Sequence, residues 1–353
     1  MNLLALALLA GWATSNTAQI AKGKEVFETA CLACHGADGT GNPEWESEVR
    51  PVSFADCGTT AEPTALWKSI VVNGGPKHGL SEVMPAFGEA FPADELDAVV
   101  AYLRTFCKTA DRYPPGDLNF RRLIATGKAF PEAEVVLKTK IVPGEGETEL
   151  EIVYENRLGP RFQYELEFPL RPKANDEGYG AGVGDLVVSG KYVLGFNPAK
   201  LQILSAGLEV ALPTGNEGKG LSAGTPVVAP YLAFGKGFRG SVIQAKVAAE
   251  FPANTDRASR NYRYAIAYSL PPIGFSRTGY VPAVELIGAY NPRSKGHAQT
   301  AVIGVSKALN KLGHVIGSVG MGFPLRPTGA PRPKEFRAYV LWDFGDGPIW
   351  TGW

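Results

Sequence analysis

The chain has 353 residues, which is enough for two domains, since one domain usually takes roughly 100–200 residues. Its net charge is zero, so no global excess of positive charge points to nucleic acid. Residues 18–115 carry 8 Lys and Arg against 14 Asp and Glu, a net charge of −6, whereas residues 116–353 carry 27 against 21, a net charge of +6. This asymmetry indicates two separate units that can attract each other.

The chain begins with a short apolar run that is followed by small and polar residues, MNLLALALLAGWATSNTAQ. The pattern predicts a secretory signal peptide over residues 1–18, with cleavage after Ala13 or Ala18, although no basic residue precedes Lys22. The apolar run is too short to cross a bilayer, so an export signal is favoured over a membrane anchor. No later stretch is apolar for long enough to predict a transmembrane helix.

A C-x-x-C-H motif at Cys31, Cys34 and His35 predicts covalent attachment of one c-type haem. Its spacing lets both thiols join one side of the macrocycle while the adjacent imidazole becomes the proximal ligand of the iron. A zinc site is disfavoured because Cys57 and Cys107 do not supply a second C-x-x-C pair. A thioredoxin-like site is disfavoured because no βαβ context surrounds the motif.

The sixth ligand of the iron is predicted by counting methionines. Of three methionines in the chain, only Met84 lies in the first part beyond the leader, in a loop and directly before a proline. His78 is a competing ligand, and core packing is the alternative role for Met84. Ligation by His and Met would raise the reduction potential relative to ligation by two histidines.

The two remaining cysteines, Cys57 and Cys107, predict a disulfide in an oxidising compartment. Free buried thiols are the alternative interpretation of this pair.

Helical spacing surrounds the haem motif. Apolar residues recur at Ile20, Val26, Phe27 and Ala30, and again in the segment PADELDAVVAYLRTFC, so these two helices are expected to pack together. The stretches AKGKEVFETACLACHGADGTG, NGGP, MPAFG and AVVAYLR, in this order, resemble a class I c-type cytochrome domain over residues 19–112. The resemblance implies an all-helical domain with His35 and Met84 as axial ligands. Such a domain carries single electrons and has no substrate pocket.

After a linker predicted at 113–130, residues 131–353 alternate with period two. In RFQYELEFPL, for example, Phe162, Tyr164 and Leu166 share one face while Gln163 and Glu165 share the other. Alternation alone also fits a soluble β-sandwich. Strands of about 9–12 residues, aromatic outer faces, polar inner faces and tight turns that alternate with long loops favour an antiparallel transmembrane barrel.

About twelve strands are expected, beginning near residues 134, 148, 161, 185, 200, 226, 239, 261, 281, 299, 313 and 335. An even number returns the chain to its starting side, so the cytochrome domain and the C-terminus would both be periplasmic if the long loops face outward. The terminal Trp353 resembles the insertion signal of outer-membrane barrels.

The segments GVGDLVVSGKYVL and GLEVALPTGNEGKG resemble the barrel family named for a MetA pathway of phenol degradation, whose members are regarded as outer-membrane channels or transporters. A cytochrome fused to a barrel also resembles the porin–cytochrome fusions of iron-oxidising bacteria, although this cytochrome looks complete and this barrel shorter. The resemblances imply a bacterial outer-membrane protein, with the cytochrome domain on the periplasmic side or in the lumen.

Three functions are compatible with this organisation. Electron transfer across or at the outer membrane, with a periplasmic or extracellular redox partner, is the leading prediction. The alternatives are a pore for small solutes with the cytochrome as a redox-linked gate or acceptor, and a soluble periplasmic cytochrome with a β-rich interaction module. The sequence presents no nucleophile–base pair, phosphate-binding loop or carboxylate cluster, so electron transfer is favoured over catalysis.

Overall fold

A computed structural model describes residues 3–44, 51–143, 147–172, 180–273, 279–310, 313–326 and 333–345. The chain divides into two compact units, Met1–Asp117 and Leu118–Trp353. The boundary falls inside the predicted linker, so residues 113–117 go with the first unit and residues 118–130 with the second. The predicted insertion signal at Trp353 lies outside the described residues.

The first unit is helical, as the spacing of its apolar residues predicts. Its α-helices are α1 (Leu3–Ala30), α2 (Leu32–His35), α3 (Thr64–Asn73) and α4 (Ala93–Leu103). Short 3₁₀ turns lie at Cys57–Ala61, Pro76–His78, Ala110–Arg112 and Gly116–Leu118. Within the described ranges, no helix is both long enough and apolar enough to cross a membrane.

Helices α1 and α4 pack closely, as expected. A Cβ atom added to Gly23 of α1 would lie 2.0 Å from the carbonyl oxygen of Ala98 in α4, so only glycine permits this approach. The core beside the crossing is built from apolar side chains of the helices and the intervening loops. It comprises Val26, Phe27, Phe54, Trp67, Val71, Leu96, Val99, Val100, Leu103 and Phe106.

The second unit is a closed antiparallel barrel of twelve long strands in the part of the chain that the structure describes. The strands are β1 (Glu134–Val142), β2 (Glu147–Leu158), β3 (Phe162–Arg171), β4 (Leu186–Asn197), β5 (Gln202–Leu212), β6 (Val227–Phe238), β7 (Ser241–Pro252), β8 (Asn261–Ser269), β9 (Tyr280–Asn291), β10 (Gly296–Ala308), β11 (Val315–Arg326) and β12 (Glu335–Asp343). A two-residue strand, Gly182–Val183, extends the edge beside β3, and a 3₁₀ turn lies at Glu217–Lys219.

Each strand pairs with its neighbours along the chain, and β12 pairs with β1 to close the barrel. This single closed sheet confirms the predicted barrel, and the β-sandwich alternative, which needs two packed sheets, is wrong. The C-terminal ends of β2, β4, β6, β8, β10 and β12 lie at one end of the barrel, which we call the short-turn end. The C-terminal ends of β1, β3, β5, β7, β9 and β11 lie at the other, the long-loop end.

The outside of the barrel is apolar. Its middle is covered by exposed aliphatic side chains such as Leu137, Val188, Leu208, Val284 and Val340. Aromatic side chains on the outward faces flank this band at both ends: Phe162, Tyr192, Phe238, Tyr268, Tyr280 and Trp342 toward the short-turn end, and Phe168, Phe251, Tyr262, Tyr290, Phe323 and Phe336 toward the long-loop end. An apolar band between two aromatic girdles is the surface of a transmembrane barrel.

Phe344 is more buried than its position at the end of a barrel strand suggests. Alternation in FRAYVLWDF places it on the outer face with Trp342, and its ring packs against Trp342 and stacks on Tyr154. It is nevertheless 1% exposed. It follows the last residue of β12, where its backbone N–H donates to the carbonyl of Ala133.

Candidate functional site

The haem-attachment residues share one helical turn of the first unit. Cys31 lies at the N-cap of α2, and its carbonyl accepts hydrogen bonds from the backbone N–H groups of Cys34, at 3.2 Å, and His35, at 3.0 Å. Both Cys31 and Cys34 are free thiols. Thioether bonds need two thiols that no disulfide consumes, and this pair meets that condition.

Burial favours the neutral forms of His35 and Cys31. It lowers the pKa of His35 to about 4 and, with a smaller contribution from Cys34, raises the pKa of Cys31 to about 11. The imidazole is therefore neutral near pH 7, which is the form that binds a metal. The Nδ1 atom of His35 is buried and has no hydrogen-bond partner among the described residues.

Aromatic side chains fix the orientation of His35. Its ring stacks on Phe54 with centroids 4.6 Å apart and planes 23° apart. Phe54 in turn packs against Trp67 and Phe106. The attachment turn therefore rests on the core of the unit rather than on a loose loop.

Met84 is held on a separate loop beside the end of α3. Its carbonyl accepts a hydrogen bond of 3.0 Å from the backbone N–H of Gly75. A Cβ atom on Gly74, whose φ is +78°, would lie 3.0 Å from that same carbonyl. The two glycines thus explain why the sequence NGG precedes the methionine loop, since a larger residue would push Met84 away.

His78, the competing ligand, is already engaged by its neighbours. Its Nε2 atom lies 3.2 Å from the Ser69 hydroxyl, within hydrogen-bond distance. Its Nδ1 atom is buried and has no hydrogen-bond partner among the described residues. His78 is thus held at Ser69 through one of its two ring nitrogens.

Cys57 and Cys107 form a disulfide, with Cα atoms 5.1 Å apart and a sequence separation of 50. The predicted bridge is present, and the free-thiol alternative is wrong for this pair. It joins the 3₁₀ turn after Asp56 to the chain beyond α4, and it leaves Cys31 and Cys34 as the two thiols of the chain. These residues fit a covalently bound haem.

Among the described residues, no group of three or more His, Cys, Asp and Glu side chains is arranged to hold a metal ion directly.

The second unit contains a segment inside the barrel that the sequence pattern does not predict. Residues 118–133, which we call the inner segment, lie inside the barrel, and most of them are buried. The segment contacts nearly every strand. Its hydrogen-bond partners on the wall are Glu134, Glu155, Gln163, Lys191, Ser205, Gln244, Glu285 and Tyr339.

A buried carboxylate holds the middle of the inner segment. Glu285 of β9 is 2% exposed and accepts hydrogen bonds from three consecutive backbone N–H groups, those of Ile124 at 2.7 Å, Ala125 at 3.0 Å and Thr126 at 2.7 Å. Consecutive N–H groups of this kind form an anion-binding nest. The wall also accommodates Ile124 closely, because a Cβ on Gly304 or Gly320 would lie within 2.5 Å of its Cδ1 atom.

Arg122 ties the inner segment to the seam of the barrel. Its guanidinium pairs with Glu134 of β1, at 2.6 Å, and with Glu155 of β2. Its carbonyl accepts a hydrogen bond of 2.6 Å from the hydroxyl of Tyr339 in β12. Lys128 and Glu132 form another buried ion pair within the segment. Both buried cations of the segment thus have carboxylate partners, as burial requires.

The rest of the lumen holds a cavity of about 590 Å³ with residues 122–128 of the inner segment among its lining. Charged side chains of the wall line it in pairs: Lys138 with Glu151, Lys246 and Arg263 with Glu209, and Arg263 with Glu250. Further carboxylates, Glu165 and Glu167, face the same space. The predicted polar inner faces are confirmed.

The inner segment cannot be recognised by periodicity, because its residues show neither helical spacing nor alternation. A usable signal was the pair of cations, Arg122 and Lys128, beside four apolar residues, Leu118, Phe120, Leu123 and Phe130. A solvated linker rarely contains so many large apolar side chains in so few residues.

Two family models match this chain. Residues 18–103 match the family described as "Cytochrome C oxidase, cbb3-type, subunit III". Residues 152–331 match the family described as "Putative MetA-pathway of phenol degradation". No curated protein matches the chain significantly.

Solved structures with a similar fold are outer-membrane barrels at low sequence identity. An outer membrane channel from Pseudomonas putida F1 is 14% identical with a TM-score of 0.49, covering 64% of this chain and 100% of that chain. The KdgM porin is 14% identical with a TM-score of 0.42, covering 60% and 99%. The NanC porin is 8% identical with a TM-score of 0.43, covering 59% and 98%.

The match of the second family extends over half of the chain and runs from β2 to beyond β11. The helical unit ahead of the barrel, with its C-x-x-C-H turn, is a cytochrome domain. The chain belongs to the family "Putative MetA-pathway of phenol degradation".

Proposed function

We propose that this protein is a monohaem c-type cytochrome anchored in the bacterial outer membrane, where it exchanges single electrons with a redox partner. The observation that carries the proposal is the combination of a complete attachment turn in one unit with a barrel whose lumen contains the chain's own inner segment. A bound haem supplies reversible one-electron chemistry.

The residues of the first unit have separate roles in this proposal. Cys31 and Cys34 would hold the haem covalently, and His35, kept neutral by burial and oriented by Phe54, would be one ligand of its iron. Met84, on its glycine-supported loop, would be the other ligand. The Cys57–Cys107 disulfide stabilises the unit in the oxidising periplasm.

The barrel acts as an anchor in this proposal. Its apolar band and aromatic girdles match a bilayer, and its family match and fold support the outer membrane as the location. The inner segment makes hydrogen bonds to strands on all sides of the lumen and occupies space that an open pore would leave to water. The chain passes from the cytochrome unit into the inner segment at Asp117–Leu118, so the haem unit cannot diffuse away.

The experiment that tests this function uses the full-length holoprotein in proteoliposomes. A membrane-impermeant reductant is added outside, and reduction is followed in the haem absorption bands, with orientation assigned by protease protection of the cytochrome unit. Haem that is reduced by a reductant on its own side and reoxidised by a soluble cytochrome supports electron exchange at the membrane. Haem that exchanges electrons from neither side contradicts the proposal.

The same preparation separates exchange at the membrane from transfer across it. Reduction of the haem by a reductant confined to the opposite side, at an intact membrane, would show a transmembrane route. If only the side that carries the cytochrome unit responds, the protein is a surface-bound carrier.

A pore for small solutes is the second candidate, favoured by the charged cavity of about 590 Å³. Its paired carboxylates, lysines and arginines would orient small zwitterionic or charged solutes. Uptake of radiolabelled amino acids or organic acids into proteoliposomes, at rates above those for empty vesicles, would support this function. Uptake indistinguishable from empty vesicles, together with electron exchange, would leave the anchor as the role of the barrel.

A further inference from the structure

The outside of the barrel carries a depression that the proposed electron transfer does not use. It is an apolar cavity of about 580 Å³ on the outward faces of neighbouring strands around the seam. Its exposed surface is apolar, and the aliphatic residues among its lining include Leu137, Leu150, Ile152, Val305, Val319 and Val340. We call this depression the outer groove.

The outer groove exists because short side chains lie between long ones. Ala338 of β12 is the register partner of Thr139 in β1, and Gly317 of β11 is the register partner of Val340 in β12. Gly317 and Ala338 add little height to the outward faces of β11 and β12, so the surface is low there. A Cβ on Gly317 would lie 3.2 Å from the side chain of Leu309, so even a small substituent there narrows the groove.

A cation lies at the short-turn end of the outer groove. Lys307 of β10 is the register partner of Tyr280 in β9, and both residues line the groove. The ammonium of Lys307 lies 4.6 Å from the centroid of the Tyr280 ring and 3.3 Å from its hydroxyl. Both residues stand at the level of the aromatic girdle, where the headgroups of a bilayer begin.

We propose that the outer groove binds one glycerophospholipid, with an acyl chain along the aliphatic floor and the phosphate at Lys307 and Tyr280. The apolar lining excludes a polar ligand, and the outward face of a transmembrane barrel meets acyl chains. An ammonium and a phenol hydroxyl, placed together at the headgroup level, supply the charge and the donor that a phosphate needs. This lipid site rests on one part of the proposed function, the location of the barrel in a membrane. It does not require that the protein transfers electrons.

A matched control is present on the same barrel. Lys236 of β6 also lies near the short-turn end, and it pairs with the exposed Ile243 on the outward face. Its ammonium donates to the carbonyl of Lys200 at 2.6 Å, and it does not line the outer groove. Lys307→Gln and Lys236→Gln remove the same charge at similar depth, and only the first alters the site.

The test is native mass spectrometry of the full-length holoprotein in detergent micelles, titrated with phosphatidylglycerol after delipidation. The wild-type protein and Lys236→Gln are expected to bind one phospholipid tightly. Lys307→Gln is expected to bind it about fivefold more weakly, the loss expected for one lysine at a lipid surface. Gly317→Leu, which fills the floor, is expected to reduce binding further, and retained haem absorption and heat-modifiable mobility show that each variant is folded.

Equal binding by Lys307→Gln and Lys236→Gln, with both variants folded, would overturn the proposal. So would a wild-type protein that binds no phospholipid or appears only as a dimer through this face. If Gly317→Leu does not fold, the two lysine variants still decide the outcome. A barrel that fails to enter membranes at all would instead count against the membrane location in the proposed function.

Discussion

The Glu285 carboxylate accepts a hydrogen bond of 2.7 Å from the backbone N–H of Thr126, although 159 residues separate the two along the chain. Together with the hydrogen bonds from the neighbouring N–H groups of Ile124 and Ala125, this contact holds the middle of the inner segment against β9 of the barrel wall. Three consecutive backbone donors thus satisfy the two oxygens of this buried side chain.

Glu285→Gln is expected to loosen the inner segment. The amide offers only one acceptor oxygen and turns two donor hydrogens toward groups that are themselves donors, which costs about 1.5–3 kcal/mol for a charge-assisted interaction. In planar bilayers the wild-type protein should pass little ion current, whereas this variant should show frequent openings. Glu250→Gln, which alters a cavity carboxylate paired with Arg263, is the control and should behave like wild type. Equal, low currents in both variants would refute the role of Glu285.

Replacing both attachment thiols should abolish covalent haem. In Cys31→Ser/Cys34→Ser no sulfur remains to form a thioether, so haem staining after denaturing electrophoresis should fall to background. His78→Ala should keep the stain and the absorption spectrum of the wild type, because the competing ligand is held by Ser69. Covalent haem in the double variant, or its loss in His78→Ala, would show that the attachment site has been misassigned.

Met84→His should lower the reduction potential of the haem, since thioether ligation favours the reduced iron more than imidazole does. Axial ligands control a span of about 0.8 V, so the shift should be easily resolved by spectroelectrochemistry of the holoprotein. His78→Ala again serves as the control and should leave the potential unchanged. If Met84→His retains the wild-type potential, another residue supplies the sixth ligand.

Gly23→Val should destabilise the cytochrome unit. A Cβ at this position would lie 2.0 Å from the carbonyl oxygen of Ala98, so α1 and α4 must move apart, at a cost of about 1–3 kcal/mol. Thermal unfolding followed at the haem band should shift downward by at least about 4 °C. Lys24→Ala, at the adjacent exposed position, should leave the midpoint within about 1 °C, and an equal shift in both variants would argue against the close crossing.

Charge on the outside of the barrel should be tolerated only at its ends. Val340, in the middle of β12 and 50% exposed, faces the apolar band, so Val340→Arg should cost about 2–4 kcal/mol, whereas Leu158→Arg, at the end of β2, should cost about 0–1 kcal/mol. Urea unfolding in detergent–lipid vesicles measures both. Similar losses for the two variants would indicate that the band does not lie in a bilayer.

Much of the barrel could be predicted from the sequence, because a wall with lipid on one side and polar groups on the other imposes strict alternation. Predicted strand starts at residues 134, 261 and 335 coincide with the observed ones, and the others lie within three residues. Gln163 and Phe168 illustrate the principle, since the first is buried inside and the second exposed outside. The local pattern is sufficient to predict a strand wherever its two faces meet different surroundings, because the side chains then alternate with period two.

The inner segment could not be predicted in this way, because its conformation is set by partners far away in sequence. Nothing near Thr126 indicates that Glu285 will accept its N–H, and nothing near Arg122 indicates Tyr339. The attachment turn lies at the other extreme, since Cys31, Cys34 and His35 are brought together by one turn of helix. A site built from adjacent residues can be predicted from the sequence, whereas a site built from residues on opposite sides of a lumen cannot.

The position of Arg122 has a consequence for how the protein is assembled. It bridges Glu134 in the first strand and Tyr339 in the last, so it lies behind the seam where β1 and β12 pair. The inner segment is tethered at both ends, to the cytochrome unit and to β1, and cannot easily be threaded into a finished cylinder. We therefore expect the segment to be in place before the last strand docks, so that the wall closes around it.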